Sequence, residues 1–399
     1  MFEYLTAGES HGPRLTAIIK SLPSGLEVDI EEINDQLFRR QQGYGRGGRM
    51  KIESDKVIIN SGLRHKKTLG SPMSMTVENK DWENWIDVMA PDKERGADVE
   101  AVTNPRPGHA DLPGALKYNH KDIRNVLERA SARETAARTA VGAVARQFLE
   151  ELDIKIYSHV VQIGSLKSEN WSKLKEMDAD RFKDEAAVEE YFTELDKTDL
   201  RCGSESRTDE MKKLIDSWRA NGDSVGGVFE IIVRGLPVGI GSHVHWDLKL
   251  ESKLAAQLIA IQAMKGIEIG AGFKGASLPG SKVHDEIYYD SEKGYYRKTN
   301  QAGGIEGGMS NGEELVIRLA MKPIPTLATP LHTADIISKE ERTAAKERTD
   351  VCAVPAASIV GEAVTALVLA QSTAEKFGGD SMTEILRNYN SYKKYIEQF

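Results

Sequence analysis

Two stretches of this 399-residue chain are too evenly apolar to lie at a surface. One is S-A-R-E-T-A-A-R-T-A-V-G-A-V-A-R-Q-F-L-E at 131–150; the other covers about 356–375. Both are rich in Ala and carry a Val-Gly step, and a third helical pattern covers about 247–265. Small and apolar residues spread around a helix leave no broad polar face, so such helices are buried on more than one side. Around them lie short runs such as K-V-I-I-N-S, S-P-M-S-M-T-V-E-N, I-K-I-Y-S-H-V-V-Q-I, V-F-E-I-I-V-R, E-I-Y-Y and E-L-V-I-R-L-A-M. Several alternate with period two, as strands with one buried face do. Helices that bury nearly everything need cover on both sides, which predicts helices layered between sheets.

The two Ala-rich segments echo one another. Glu128 and Glu347, Ala137 and Ala356, Val141 and Val360, and Gly142 and Gly361 each stand 219 residues apart. Either chance or a duplicated unit accounts for so few matches. Residues 166–221 are charged and poor in strand patterns, and read as surface helices and loops or as an inserted lobe. No Pro- or Ser-rich linker divides the chain, so 1–399 is read as one domain.

Charge narrows the partners. With 61 Asp plus Glu against 53 Lys plus Arg, the chain carries a formal charge of -8. Nucleic acid is therefore not expected as a partner, since phosphate backbones need a broad basic face. Two cysteines suggest neither a disulfide framework nor a zinc site. The N-terminus lacks the basic and apolar regions of a signal peptide. The most apolar helical stretch, S-I-V-G-E-A-V-T-A-L-V-L-A, reads as too short for a bilayer and contains Glu362. The expectation is a cytoplasmic protein with no membrane partner.

Against that acidic total, R-R-Q-Q-G-Y-G-R-G-G-R-M at 39–50 holds four arginines and no acid. Its G-Y-G-R-G-G matches the dinucleotide pattern, but a helical pattern precedes it and a strand pattern follows. That order is reversed for a dinucleotide-binding turn. Arginine pairs bidentately with phosphate or carboxylate, and glycine lets backbone N–H groups come close. Four arginines without a local acid would repel one another until an anion neutralises them, so the stretch reads as an anion site.

Other Gly-flanked groups accompany it. G-E-S-H-G at 8–12 presents Ser10 and His11, and R-P-G-H-A-D at 106–111 presents His109 beside Arg106. Imidazoles in tight polar loops suit proton exchange near neutral pH. S-A-R-E has the form of a capping box, with Ser131 as N-cap and Glu134 at N3. A helix start beside Arg133 also favours anions. K-P-I-P-T at 322–326 holds an extended backbone that could wall a flat ligand. H-V-H at 243–245 has no third ligand at sensible spacing, so no metal is expected.

In this order, G-E-S-H-G, the 39–50 stretch, R-P-G-H-A-D, S-A-R-E-T-A-A-R, G-G-I-E-G-G-M-S-N-G at 303–312, K-P-I-P-T and R-T-D-V-C-A-V-P at 348–355 resemble chorismate synthases. The resemblance runs from about residue 1 to 370; Ala130 and Thr349 are small departures. It implies an α+β fold, a single-domain β-α-β sandwich with central helices between antiparallel sheets, assembled as a homotetramer. It also implies a lyase that converts 5-enolpyruvylshikimate 3-phosphate to chorismate by anti-1,4-elimination of phosphate. Reduced FMN would be the cofactor, with NADPH a possible reductant.

Site residues follow from the same resemblance. Arg40, Arg46, Arg49, Arg106 and Arg133 would hold substrate or NADPH anions. His11 would serve the leaving phosphate or relay a proton, His109 would protonate reduced flavin near N1, and Asp350 with Ser10 would help the flavin N5 accept the C6 proton. Ser131, Ala132, Arg133, Gln262, Ala263, Gly307, Lys322, Pro323, Ile324, Pro325, Thr326 and Arg348 would border the flavin. Two rival readings are a flavin reductase and a non-catalytic anion-binding protein.

Overall fold

The chain builds the same unit twice. In a computed structural model, residues 2–47, 54–92, 94, 99–292, 294–345 and 350–399 are described. The first half contributes strands Glu3–Ala7 and Arg14–Lys20, helix Ile30–Gln41, strands Val57–Ser61 and Met73–Glu78, and then helix Thr135–Glu150. The second contributes strands Lys155–Ile163 and Gly227–Arg234, helix Leu250–Leu258, strands Met264–Ile269 and Leu315–Met321, and then helix Val354–Phe377. In each half the four main strands lie in the order first–second–fourth–third, with all pairings antiparallel. The offset of 219 residues thus has a structural basis, and the two Ala-rich segments are equivalent central helices.

Each central helix packs on its own sheet and on the other central helix, which gives an α+β fold with helices between sheets. The Val-Gly steps explain the close contact. A Cβ at Gly142 would lie 2.5 Å from the Ala363 Cβ and 2.7 Å from its backbone oxygen. One at Gly361 would meet the Phe229 ring at 2.8 Å. The second helix is 24 residues long, so its length and hydropathy suffice for a bilayer, contrary to the sequence expectation. It lies instead in the core, with 94% of its most apolar window buried.

Two local expectations need correction. The helical pattern at 247–265 ends at Leu258. Ala263 adopts φ +67°, and Met264–Ile269 joins the second sheet as an edge strand. Pairing with Leu315–Met321 overrides the helical periodicity there. The capping box forms only in part. Ser131 Oγ accepts from Arg133 N–H at 3.2 Å, but Glu134 turns away to Thr6 and Arg138.

Residues 166–221 form a lobe with helices Trp171–Met177, Glu185–Asp196 and Glu205–Ala220. Trp171, Phe182, Tyr191 and Phe192 pack on Tyr157, Ile232 and Val316, covering the outer face of the second sheet.

Candidate active site

One cavity of ≈ 450 Å³ lies where the two halves meet. Its size is that of a small-molecule site. Equivalent segments of the two halves line it. After the flanking helices come Arg46 and Gly47 in one half, Gln262 and Ala263 in the other. After the fourth strands come Arg106 and His109, and then Lys322, Ile324, Pro325 and Thr326. Before the central helices come Ser131–Arg133 and Asp350 with Ala353. Both central helices therefore begin at the cavity, and their partially positive N-termini favour bound anions. Ser10 and His11, in the turn between the first two strands, have no such counterpart; at that point the second half carries the lobe.

Each cavity histidine is anchored through Nδ1 to a buried carboxylate. His11 Nδ1 lies 2.9 and 3.0 Å from the Glu128 oxygens, and the His11 backbone N–H donates to Glu128 Oε2 at 2.8 Å. Burial would raise the Glu128 carboxyl. The hydrogen bonds and charge of His11, with Arg124 at 3.3 Å, outweigh it and hold the group below its ordinary value. The His11 ring also stacks on Trp85, with centroids 3.7 Å apart. His109 Nδ1 lies 2.6 Å from Asp111 Oδ1. Asp111 is fully buried, yet His109 and Arg106 hold it well below the usual carboxylate range. With Nδ1 bound to a carboxylate, exchange of a proton with a ligand falls to Nε2.

The expectation of mutually repelling arginines does not hold. Acids outside the stretch pair with each described arginine of 39–50, and those of Arg39 and Arg46 lie far away in sequence. Arg39 turns away from the cavity to Glu362 at 2.8 Å and to Asp196. Arg40 faces Asp55 at 3.4 Å and donates to Thr135 Oγ1 at 2.9 Å. Arg46 pairs with Asp350 at 3.1 Å, and Asp350 also accepts from Gly47 N–H at 2.6 Å. Arg133 donates to both Asp55 oxygens at 2.7 Å.

Most of the expected site residues converge. Ser10, His11, Arg40, Arg46, Arg106, His109, Ser131, Ala132, Arg133, Gln262, Ala263, Lys322, Ile324, Pro325, Thr326 and Asp350 all line the cavity. Ser131 Oγ and Ser10 Oγ are 3.1 Å apart. Pro323 does not join them: it is exposed. Gly307 is also elsewhere. It is exposed in the Gly307–Gly308 turn between strands Ile305–Glu306 and Met309–Ser310. Both glycines have positive φ, as a two-residue primed turn demands. Arg49 and Arg348 lie outside the described residues. No cluster of His, Cys, Asp or Glu suited to a metal ion occurs among the described residues.

Three acids of this site were not expected. Asp111 follows His109 by two residues and Glu128 opens one arm of the internal echo, so both stood in view without a partner to give them meaning. Nothing near Asp55 announces its two arginines.

Comparison with known proteins identifies the family. The sequence profile of the family described as Chorismate synthase matches residues 2–374. The chain belongs to the chorismate synthase family. It is 56% identical to the chorismate synthase of Geotalea uraniireducens, over 100% of both chains. It is 54% identical to that of Desulforamulus reducens over 100% of both, and 51% identical to that of Bacillus velezensis over 99% of this chain and 100% of the relative. A solved crystal structure of a chorismate synthase superposes with a TM-score of 0.79 at 41% identity, covering 100% of this chain and 99% of that one. Membership makes the chain a carbon–oxygen lyase that releases phosphate from 5-enolpyruvylshikimate 3-phosphate to form chorismate.

Proposed function

We propose that this cavity is where 5-enolpyruvylshikimate 3-phosphate loses its phosphate and its C6 hydrogen, beside reduced FMN. The observation that carries the reading is the meeting, in one cavity, of two carboxylate-anchored imidazoles and four guanidinium groups. The substrate brings a phosphate and two carboxylates, which such a site can neutralise.

The residues present fit the flavin. Alanines 132, 353, 356 and 357 with Ile324 and Pro325 supply small or flat apolar surface. Gln262 Oε1 is a buried acceptor without a partner among the described residues, suited to a ring N–H. Lys322, whose ammonium burial and Lys265 make easier to deprotonate, adds a donor beside Gly108. When bound, reduced FMN supplies electron density as the C–O bond breaks and recovers it as the C6 hydrogen leaves.

The chain's own groups divide the remaining work. Arg40, Arg46 and Arg133 bind substrate anions and stabilise charge growing on the departing phosphate. His11 Nε2 donates to that phosphate, while Glu128 keeps the proton of the other nitrogen in place. His109 Nε2 holds a proton toward the flavin, with Asp111 in the matching role. Asp350 and Ser10, one from each half of the chain, help to pass on the C6 proton. The catalytic unit is the whole chain, acting as a homotetramer in the cytoplasm.

Anaerobic turnover with dithionite-reduced FMN tests the reading: chorismate and phosphate should appear in equal amounts. Absence of both, with substrate still bound, would reject the elimination. Light scattering reads the assembly, and NADPH oxidation in the presence of FMN reads whether the protein reduces its own flavin.

A further inference from the structure

The lobe at 166–221 contributes nothing to the cavity lining, yet its neighbourhood holds three of the segments that do. The clearest link runs through Tyr44, two residues before Arg46. Its backbone N–H donates to Asp199 O at 2.8 Å. Its hydroxyl donates to the Asp216 carboxylate, at 2.9 and 3.0 Å from the two oxygens. Its ring lies between Lys212 and Arg219 of the same lobe helix, at 5.5 and 5.4 Å. The next residue, Gly45, accepts from Val351 N–H at 2.8 Å and from Cys352 N–H at 3.3 Å. Gly45 has φ +94°, and a Cβ there would lie 2.9 Å from Cys352. Tyr44 and Gly45 thus pin the loop on both sides, and Arg46 emerges into the cavity beside Asp350.

The lobe's exit repeats the pattern. Val225 N–H donates to Val351 O at 2.9 Å, Ser224 Oγ to Ile324 O at 2.7 Å, and Thr329 N–H to Gly222 O at 3.0 Å. The lobe and the residues just after it therefore tie the arginine loop, the 350–352 segment and the 322–329 segment together.

We propose that the lobe is a positioning device for the anion site and that Tyr44 is its positioning residue. Through Asp216, Tyr44 fixes the direction in which Arg46 meets the substrate's charge. This rests on the function proposed above, because it assigns Arg46 to substrate rather than to flavin. Misplacing one guanidinium costs binding of the anion it serves and leaves contacts made elsewhere intact.

Steady-state kinetics with reduced FMN decides the matter in Tyr44→Phe, Asp216→Asn and the double variant. Phenylalanine keeps the ring between Lys212 and Arg219, and Asp216 is about half exposed, so both single variants should fold. The expected result is a substrate KM raised about two- to tenfold in each single variant, the range of one ordinary hydrogen bond, because the half-exposed Asp216 is partly solvated. The kcat should fall by no more than KM rises, since Arg46 serves both the bound anion and the departing phosphate, and FMN affinity should be unchanged. The double variant should be no worse than either single one, the sign of one shared contact. An unchanged KM, additive effects, or an equal loss of FMN affinity would overturn the proposal. Chorismate formation by the unmodified protein in the same assay keeps that outcome separate from failure of the functional reading.

Discussion

At the scale of single residues, the site depends on pairs. An imidazole in a Gly-flanked loop has many orientations, and a buried carboxylate selects one. Glu128 is bound to both the ring and the backbone of His11, and Asp111 is shared between His109 and Arg106. Glu128→Ala and Asp111→Ala should each lower kcat by about 10- to 10,000-fold, the span allowed to a misdirected proton donor. Glu128→Gln and Asp111→Asn, which keep a hydrogen-bonding oxygen, should recover part of that loss. Equal rates in the Ala and amide variants at unchanged melting temperature would show that orientation by the carboxylates is irrelevant to turnover. The arginines teach the same lesson in reverse. Asp55, Asp350 and Glu362 neutralise residues that look unopposed when only 39–50 is read.

At the scale of elements, the central helices set the geometry. Each begins at the cavity and each is buried along nearly its whole length, so their separation sets the distance between Ser131–Arg133 and Asp350–Ala353. Gly142 sets that separation, since nothing larger fits against the Ala363 backbone. Gly142→Ala gains helix propensity but must push the helices apart. The expected net effect is destabilisation of about 1–3 kcal/mol, the usual range for overpacking. Urea denaturation provides the check, and a midpoint equal to or above that of the unmodified protein would contradict the close contact. A rise in KM for substrate or FMN alongside it would follow from the shared helix starts.

At the scale of the whole molecule, one buried carboxylate joins parts distant in the chain. Glu362 receives Arg39 from the first flanking helix, Arg146 from the first central helix, Arg201 from the lobe and Ser158 from the second sheet. Burial alone would raise its pKa, but the charges of Arg39, Arg201 and Arg146 hold it at about 2, against an ordinary 4.5. A lowered carboxylate pKa stabilises the fold above the unfolded value, and that contribution disappears as pH falls through the folded one. Glu362→Gln should therefore cost about 3–5 kcal/mol near neutral pH, the penalty for breaking a buried ion pair. The difference in melting temperature between variant and parent should shrink once pH drops below 4.5 and continue to shrink toward 2. A difference that stayed constant from neutral pH down to about pH 3 would contradict that linkage.

Much of the layout was legible in the sequence because it rests on local chemistry. Period-two strands, helices with no polar face and Gly-flanked polar loops report what neighbouring residues can do, and those signals predicted helices between sheets and singled out several polar loops, while their joining in one site was implied by the resemblance to chorismate synthases. The offset of 219 residues carried the duplication, though only strand order in the two sheets shows that the copies share a topology. Tertiary structure decided the rest. The helical pattern after Leu258 yielded to strand pairing, and Glu134 left its cap for Thr6 and Arg138. The counter-charges of Arg46 and Arg39 came from residues remote in sequence, Asp350 and Glu362. Periodicity and turn chemistry are properties of neighbours along the chain. Charge pairing and edge-strand capture are properties of neighbours in space, and they exist only once the two halves have closed on one another.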